Sequence, residues 1–519
     1  MTGSPRAWYL RAMRLLGRAS MYRLTLLSLA ALVAVALAAS AFDLLAATPA
    51  SIALTAAVLV IVGSGVDMLG HRMRGTAWRA ESTLITAGIL LFVLRPGTDA
   101  AALVGAAVGA AIAVASKHLL SWRGRHILNP AAAGATGATL VALAPWIGGG
   151  SAWWVGSPVM FVPVLLAGVV VLWRTERVRV VALFFLVAVV VAVVRTIVQL
   201  NASGASMALD DLLTAVIVQS PYLFLGAFML SEPLTQPPRR WQQYVVACIV
   251  GALAGWPLSV GAITLGQERA LLIGNIVAFC FAARSAVRLT LADAKDLTPT
   301  VRELSLTAAG DIRFVPGQYL ELEVPHRGAD ARGTRREFSI VSAPEDLPEL
   351  RVAYRAVGTA PPSTYKAALA RAVQGHKLRA TGVWGDFVLP RDAEQPLLLV
   401  AAGIGITPFV SQLRHRRMAG EMGDIVVVYV ARTADELAYR DELERAGVPV
   451  HIVTPDHPGR MPAQWTWQSE RLTGTALADA VPGVDERRAY VSGPPGLIAG
   501  LSPTLQRARS VTTDAFAGY

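Results

Sequence analysis

The sequence predicts a multi-domain chain: a polytopic α-helical membrane domain over residues 1–290, a small β-barrel domain over 291–395, and a parallel α/β domain over 396–519. Three observations carry this. The 519 residues are 54% hydrophobic and only 16% charged, with a mean hydropathy of +0.48, whereas soluble domains carry about 25% charged residues. The charge is divided unevenly: 21 Lys and Arg stand against 9 Asp and Glu in residues 1–290, and 26 against 27 thereafter. Finally, the texture changes near Thr300, from long apolar runs to short alternating strands separated by turns rich in Gly, Pro and Asp. The net +11 therefore lies wholly in the apolar part. That is the wrong place for a nucleic-acid patch, and a nucleic-acid partner is excluded.

About 20 apolar residues cross a bilayer as a helix. Ten candidate spans follow, at about 24–42, 51–69, 82–94, 100–115, 127–147, 158–173, 180–200, 212–230, 241–258 and 270–283. The third, sixth and tenth are short. Cytoplasmic loops collect Lys and Arg, and alternate loops do so here. The N-terminal tail holds Arg6, Arg11, Arg14, Arg18 and Arg23; later clusters are Arg72, Arg74 and Arg79; Lys117, Arg123 and Arg125; Arg174, Arg177 and Arg179; Arg239 and Arg240; and Arg284 and Arg288. The opposite side holds only Arg95, Arg195 and Arg269. The expectation is an integral protein of the cytoplasmic (inner) membrane with both termini in the cytoplasm; the long first run and the nine that follow argue against a signal peptide.

Within this half, the third span ends at Arg95-Pro96-Gly97 and the eighth at Glu232-Pro233-Leu234. These are either corresponding Pro-broken helices of two inverted five-helix repeats or two ordinary helix-terminal prolines. His71, His118 and His126 sit in cytoplasmic loops or at their edges, so no span carries the mid-helix histidines that a membrane haem needs. Cys248 and Cys280 lack the spacing of a zinc ribbon or plant-type iron–sulfur domain, and both are expected to be buried apolar residues. No metal-ligating motif is predicted. Asp43, Asp67, Arg195 and Glu232 lie near span ends, which argues mildly against a stand-alone ion pump.

In the soluble half, residues 315–390 carry the short strands of a barrel. Leu397–Ala402 is an apolar strand running into Gly403-Ile-Gly405-Ile-Thr407-Pro408 and then a helix. Such a turn lets backbone N–H groups approach a pyrophosphate at a helix N-terminus. Its company is ordered along the chain: Arg336-x-Phe338-Ser339; Ser363-Thr364-Tyr365 opening a helix; Gly382-x-x-Gly385-x-Phe387; the glycine loop; a strand ending near Arg432; and Ser492-Gly493-Pro494. Over residues 291–519 this set resembles the ferredoxin–NADP reductase superfamily. The resemblance implies a flavin-binding barrel followed by a nicotinamide-binding α/β domain, with FAD bound and NAD(P)H as electron donor.

It further implies that Arg336 holds the FAD pyrophosphate and that Phe338, where relatives usually have Tyr, lies against the isoalloxazine. Ser339 would bond near flavin N5, and the helix start at Ser363–Tyr365 would face the second phosphate. Gly382, Gly385 and Phe387 complete the flavin set. Gly403, Gly405, Thr407, Pro408, Gly493 and Pro494 would receive the dinucleotide, with Ser339 and Ser492 at the reacting ring. Ser492 stands where the family often has Cys. Arg432 lies where a 2′-phosphate contact would be, without settling NADPH over NADH. Tyr519 would either stack on the flavin or fray.

Two motifs of the apolar half, His126-Ile-Leu-Asn129-Pro130 and Phe228-Met-Leu-Ser-Glu232-Pro233-Leu-Thr-Gln-Pro237, resemble signatures of one membrane family. It comprises the Rnf complex D subunit and the B subunit of the sodium-translocating NADH:quinone reductase. This implies FMN in the membrane; the nearest match to its flavinylation motif is Thr136-Gly-Ala-Thr139, whose small residues equally suit close helix packing. Together the halves imply a membrane-bound oxidoreductase passing electrons from NAD(P)H through FAD to a membrane flavin, a quinone or an acceptor across the bilayer. The rival is an ion-coupled or transporter-like protein whose reductase domain senses redox state. Oligomeric state has no signature.

Overall fold

The computed structural model describes residues 21–519 except 75–77, 79, 123–124, 144–147, 149, 176, 238, 261–262, 282–286, 327–333, 357–362 and 516–519. Two compact units meet in sequence at 283/284.

The N-terminal unit is helical: α1 (Met21–Ala41), α2 (Pro49–Arg74), α3 (Ala80–Val93), α4 (Ala100–Leu119), α5 (Pro130–Val141), α6 (Pro158–Thr175), α7 (Val178–Ser203), α8 (Leu209–Leu230), α9 (Arg240–Gly255) and α10 (Gln267–Phe281). Each apolar stretch of the sequence coincides with one of them. Five, namely α1, α2, α4, α7 and α8, are long and apolar enough to cross a membrane. The fifth stretch shortens most: α5 has 12 residues, started by Pro130 and capped by Asn129, whose Oδ1 accepts from Ala132 N at 3.0 Å.

Small residues let α5 approach α4. A side chain at Gly134 would meet the Gly109 carbonyl at 2.4 Å, and one at Gly137 would meet Ile112 at 2.5 Å. α8 is irregular, with π-helical turns at Thr214–Val218 and Leu225–Leu230. Cys248 is half-buried and Cys280 exposed, which corrects the expectation that both are buried: the outer faces of α9 and α10 carry them.

The C-terminal unit has two six-stranded sheets. The first, antiparallel, contains β1 (Val287–Thr298), β2 (Val301–Ala308), β3 (Tyr319–Glu323), β4 (Arg335–Ser339), β5 (Glu349–Arg355) and β6 (Lys377–Trp384), in the order β4-β3-β6-β1-β2-β5. Just past β4, Ile340 bridges Val352 of β5, so the two edge strands also touch. α11 (Thr364–Ala370) lies between β5 and β6 in sequence and packs its buried Tyr365 and Leu369 into the sheet's apolar core.

The second sheet is parallel throughout, in the order β10-β9-β8-β7-β11-β12. Its strands are β7 (Leu397–Ala402), β8 (Ile425–Val430), β9 (Val450–Val453), β10 (Trp465–Gln468), β11 (Arg488–Gly493) and β12 (Ser510–Ala515). β7 is continuously apolar because both faces are covered. Leu397, Leu399 and Ala401 pack into one core, Leu398 and Val400 into the other. The crossover helices are α12 (Thr407–Ala419), α13 (Arg440–Ala446), α14 (Gly474–Ala480) and α15 (Pro495–Leu505).

Candidate functional site

The parallel sheet reverses its strand order between β7 and β11, and ligands of such sheets bind at the carboxyl ends of strands flanking this switch point. The glycine loop stands there. Gly403 has φ +54°, in the left-handed region that favours glycine. A side chain at Gly405 would meet the Ser492 carbonyl oxygen at 2.3 Å and its Oγ at 3.0 Å, and one at Gly493 would meet Ala402 at 2.9 Å. The Thr407 hydroxyl donates to Ile404 O at 2.8 Å and tightens the turn, and Pro408 follows in the first turn of α12. Ser492 is fully buried, and its Oγ has no hydrogen-bond partner among the described residues. Pro494 is exposed at the start of α15, and Arg432 is exposed beyond the end of β8.

The antiparallel sheet gathers a second set. Arg336 and Phe338 lie opposite Leu322 and Leu320, and both turn toward Tyr365 of α11. The Arg336 guanidinium stands 4.9 Å from the centre of that ring, and Phe338 stacks on it at 6.1 Å. Burial pushes the Tyr365 phenol well up, so it stays neutral; it donates to Leu322 O at 2.9 Å. Ser363 caps α11, its Oγ accepting from Lys366 N at 3.3 Å, while Thr364 Oγ1 lies 3.3 Å from His326 Nε2.

Ser339 is buried and pairs with Tyr319 on β3. Gly385, at φ +124°, lies against Tyr319, and its carbonyl accepts from Gln318 Nε2 at 3.1 Å. The Trp384 ring occupies the space a side chain at Gly382 would need. Thus Arg336, Phe338, Ser363 and Thr364 form one group, and Ser339 and Gly385 another. Phe387 stands apart from both: it is buried between Phe409 and Tyr490, each 5.5 Å away. Tyr519 lies outside the described residues.

Several residues here had no role in the sequence reading. Gln318 and Tyr319 frame Ser339 and Gly385, and Gly317, at φ +93°, leaves room for the Phe387 carbonyl and Gln412. The run Pro316-Gly-Gln-Tyr before an alternating strand was their available signal. Arg355 reaches Gly403, its Nη2 3.1 Å from where a Cβ would stand, and pairs with Glu436 at 3.8 Å; nothing in the local sequence marks it.

The N-terminal unit joins its two motifs. Asn129 Nδ2 donates to Glu232 Oε2 at 2.8 Å, its backbone N–H donates to Asn275 Oδ1 at 2.8 Å, and His126 Nδ1 lies 3.6 Å from Glu232 Oε1. Thr139 donates to Ala135 O at 2.9 Å and accepts from Ser151 N at 2.9 Å. It borders a cavity of about 570 Å³ shared with Trp153, Trp154, Gln219, Glu268 and Arg269. Glu268 is buried and accepts from Ser151 Oγ at 2.7 Å and Trp153 Nε1 at 2.8 Å.

Residues 399–502 match the family described as the oxidoreductase NAD-binding domain. The chain is 36% identical over 152 residues to ferredoxin–NADP reductase B of Sorangium cellulosum, covering 29% of this chain and 60% of the relative. It is 30% identical over 187 residues to an NADPH oxidoreductase of Mycobacterium tuberculosis, covering 36% of this chain and 47% of the relative. Over 235 residues it is 28% identical to the ferredoxin–NAD(+) reductase component of the alkene monooxygenase system of Xanthobacter autotrophicus, covering 44% and 68%. The chain thus spans about half of the length of the first two relatives. A solved ferredoxin NADP+ reductase from Neisseria gonorrhoeae aligns over 44% of this chain and 98% of its own, at 19% identity and a TM-score of 0.37. The glycine loop at the switch point and the match over 399–502 make the C-terminal unit the carrier of a ferredoxin–NADP reductase-like NAD-binding domain.

Proposed function

We propose that the chain is a membrane-bound flavoprotein oxidoreductase that takes hydride from NAD(P)H on its C-terminal unit and delivers electrons to an acceptor at its N-terminal unit. The observation that carries the reading is the cradle formed by Gly403, Gly405 and Ser492. Two positions without side chains and one buried, unpartnered hydroxyl border a parallel-sheet switch point. The orphaned Ser492 Oγ fits the carboxamide-bearing ring of a nicotinamide, which would supply its missing partner. FAD, when bound, supplies the conversion between two-electron and one-electron transfer. Arg336 would pair with its pyrophosphate as a guanidinium fork, Phe338 and Tyr319 would present rings to its isoalloxazine, and Ser339 would offer its hydroxyl near N5. Gly385 would keep the backbone low beside that ring, Gly382 would make room for the Trp384 ring behind it, and Ser363 and Thr364 would orient the start of α11 toward the phosphates.

The acceptor is a membrane flavin such as FMN, a quinone, or a carrier beyond the bilayer. The cavity beside Thr139, walled by two tryptophans, supports an aromatic head group there. With the Arg-rich loops taken as the cytoplasmic side, this cavity would open at the opposite end of the N-terminal unit.

The test is flavin and turnover on the purified full chain. After denaturation, free and covalent flavin are separated and FAD distinguished from FMN, and NAD(P)H oxidation is followed with ferricyanide and with a quinone. FAD with turnover is expected. A colourless protein that oxidises neither nicotinamide overturns the proposal.

A further inference from the structure

α2, α3 and α4 bring together a group of side chains that electron transfer does not use. Asp67 and His71 stand one turn apart on α2, and His118 comes from the last turn of α4. His118 Nε2 is 2.8 Å and His71 Nε2 3.7 Å from the same oxygen, Oδ1 of Asp67. The two imidazoles are perpendicular, with centroids 5.2 Å apart, and the three candidate donor atoms all lie within 4.8 Å of one another.

We infer that Asp67, His71 and His118 form a binding site for one divalent transition-metal ion. Two imidazoles and a carboxylate are the donor set of three-ligand zinc and non-haem iron centres, which keep a further position open. With metal–ligand bonds of about 2.1 Å, tetrahedral donors sit about 3.4 Å apart. The observed separations of 2.8 and 3.7 Å straddle that value and the third lies within 4.8 Å, so an ion enters with side-chain shifts of about an ångström.

Two features mark the site as built. The second carboxylate oxygen, Oδ2, accepts from Thr83 Oγ1 of α3, the outer hydrogen bond that orients a ligating carboxylate. Gly70 makes room for the incoming ring: a side chain there would lie 2.5 Å from His118 Cδ2 and Nε2. Lys117 opposes a cation, but its ammonium is tied to Ser82, donating to the carbonyl and the hydroxyl at 3.0 Å each.

The experiment strips the purified full chain with a chelator, then titrates it with Zn2+ against a chromophoric competitor. One Zn2+ per chain is expected, with Kd below about 1 µM. Asp67→Asn and His118→Ala should each weaken it by at least about 100-fold, and Gly70→Ala, which keeps all three ligands, by at least about 10-fold. Lys117→Met should tighten it; a loosening would overturn the assignment. Co2+ in place of Zn2+ should give tetrahedral d–d bands that Asp67→Asn abolishes, and an unchanged gel-filtration profile shows that the variant is folded. Absent saturable binding, or affinity retained in Asp67→Asn, the three side chains are a hydrogen-bonded helix clamp and the inference fails. Ferricyanide turnover with NAD(P)H should be unchanged in every variant, so this outcome is independent of the proposed reductase function.

Discussion

At the scale of single residues, the glycine loop is governed by what is missing. Gly405→Ala would drive a methyl group into the Ser492 carbonyl, and relief requires moving backbone at the junction of β7 and β11. We expect kcat/KM for NAD(P)H to fall at least about 10-fold, equal to about 1.4 kcal/mol of transition-state binding, measured by ferricyanide reduction. Ser492→Ala removes a buried hydroxyl that has no partner among the described residues, so the melting temperature should hold or rise. Turnover should still drop, by about 10-fold, and an unaltered rate would remove Ser492 from the reacting ring. The turn of the glycine loop was legible in the sequence because backbone makes it and its residues are contiguous. Phe387 was assigned to the flavin set by motif, whereas the fold buries it against Phe409 and Tyr490, neighbours that become visible only when β7, α12 and β11 assemble. The Asp67–His118 contact spans 51 positions, and no local spacing announces it.

At the scale of elements, the C-terminal unit is fastened by one arginine of α12. Arg414 makes two hydrogen bonds to Asp346, Nε to Oδ2 at 2.7 Å and Nη2 to Oδ1 at 2.8 Å, and its Nη1 reaches Glu442 of α13 at 3.0 Å. Asp346 belongs to the turn between β4 and β5, so the pair joins the antiparallel sheet to the parallel one's helices. Burial pushes the Asp346 carboxyl up, but the Arg414 bonds and the Ala343 N–H outweigh it and hold it below the ordinary 3.8. A depressed carboxylate stabilises the fold at pH above its unfolded value and loses that contribution as the pH falls through the folded one. Asp346→Asn should therefore cost about 1–2 kcal/mol at pH 7. It should also flatten the acid limb of the stability profile below pH about 4, as read by chemical unfolding at several pH values. In the N-terminal unit, the sequence located the eighth apolar stretch but not its π-helical turns, because an extra residue per turn leaves the apolar composition unchanged. One of those turns delivers Glu232 to Asn129. Glu232→Gln keeps the acceptor and should be tolerated, while Glu232→Ala leaves the buried Asn129 amide short of a partner and should cost about 1–3 kcal/mol.

At the scale of the whole molecule, the uneven composition resolves into two compact units that meet in sequence at 283/284, and the change of texture near Thr300 was its visible trace. Among the described residues, ten helices stand where ten apolar stretches were predicted. Five of these described helices are long and apolar enough to cross a bilayer alone; α5, with 12 residues, stops short of the run that encodes it. A protein comprising residues 287–519 should be soluble and retain NAD(P)H–ferricyanide turnover within about threefold, while losing quinone reduction by the full chain's route. A shortened protein that fails to bind flavin would show that the two units depend on each other to fold.

The strand order of the parallel sheet sets a schedule for synthesis. β7 occupies the middle of the sheet, yet the partner on one of its sides, β11, is encoded far downstream: Leu397 pairs with Arg488. At about 5–20 residues per second, a ribosome leaves that edge of β7 waiting for roughly 5–20 seconds. During that interval a fully apolar strand has β8 alone as its neighbour. The cradle of Gly405 and Ser492 cannot close before that delay ends, because its two halves straddle it.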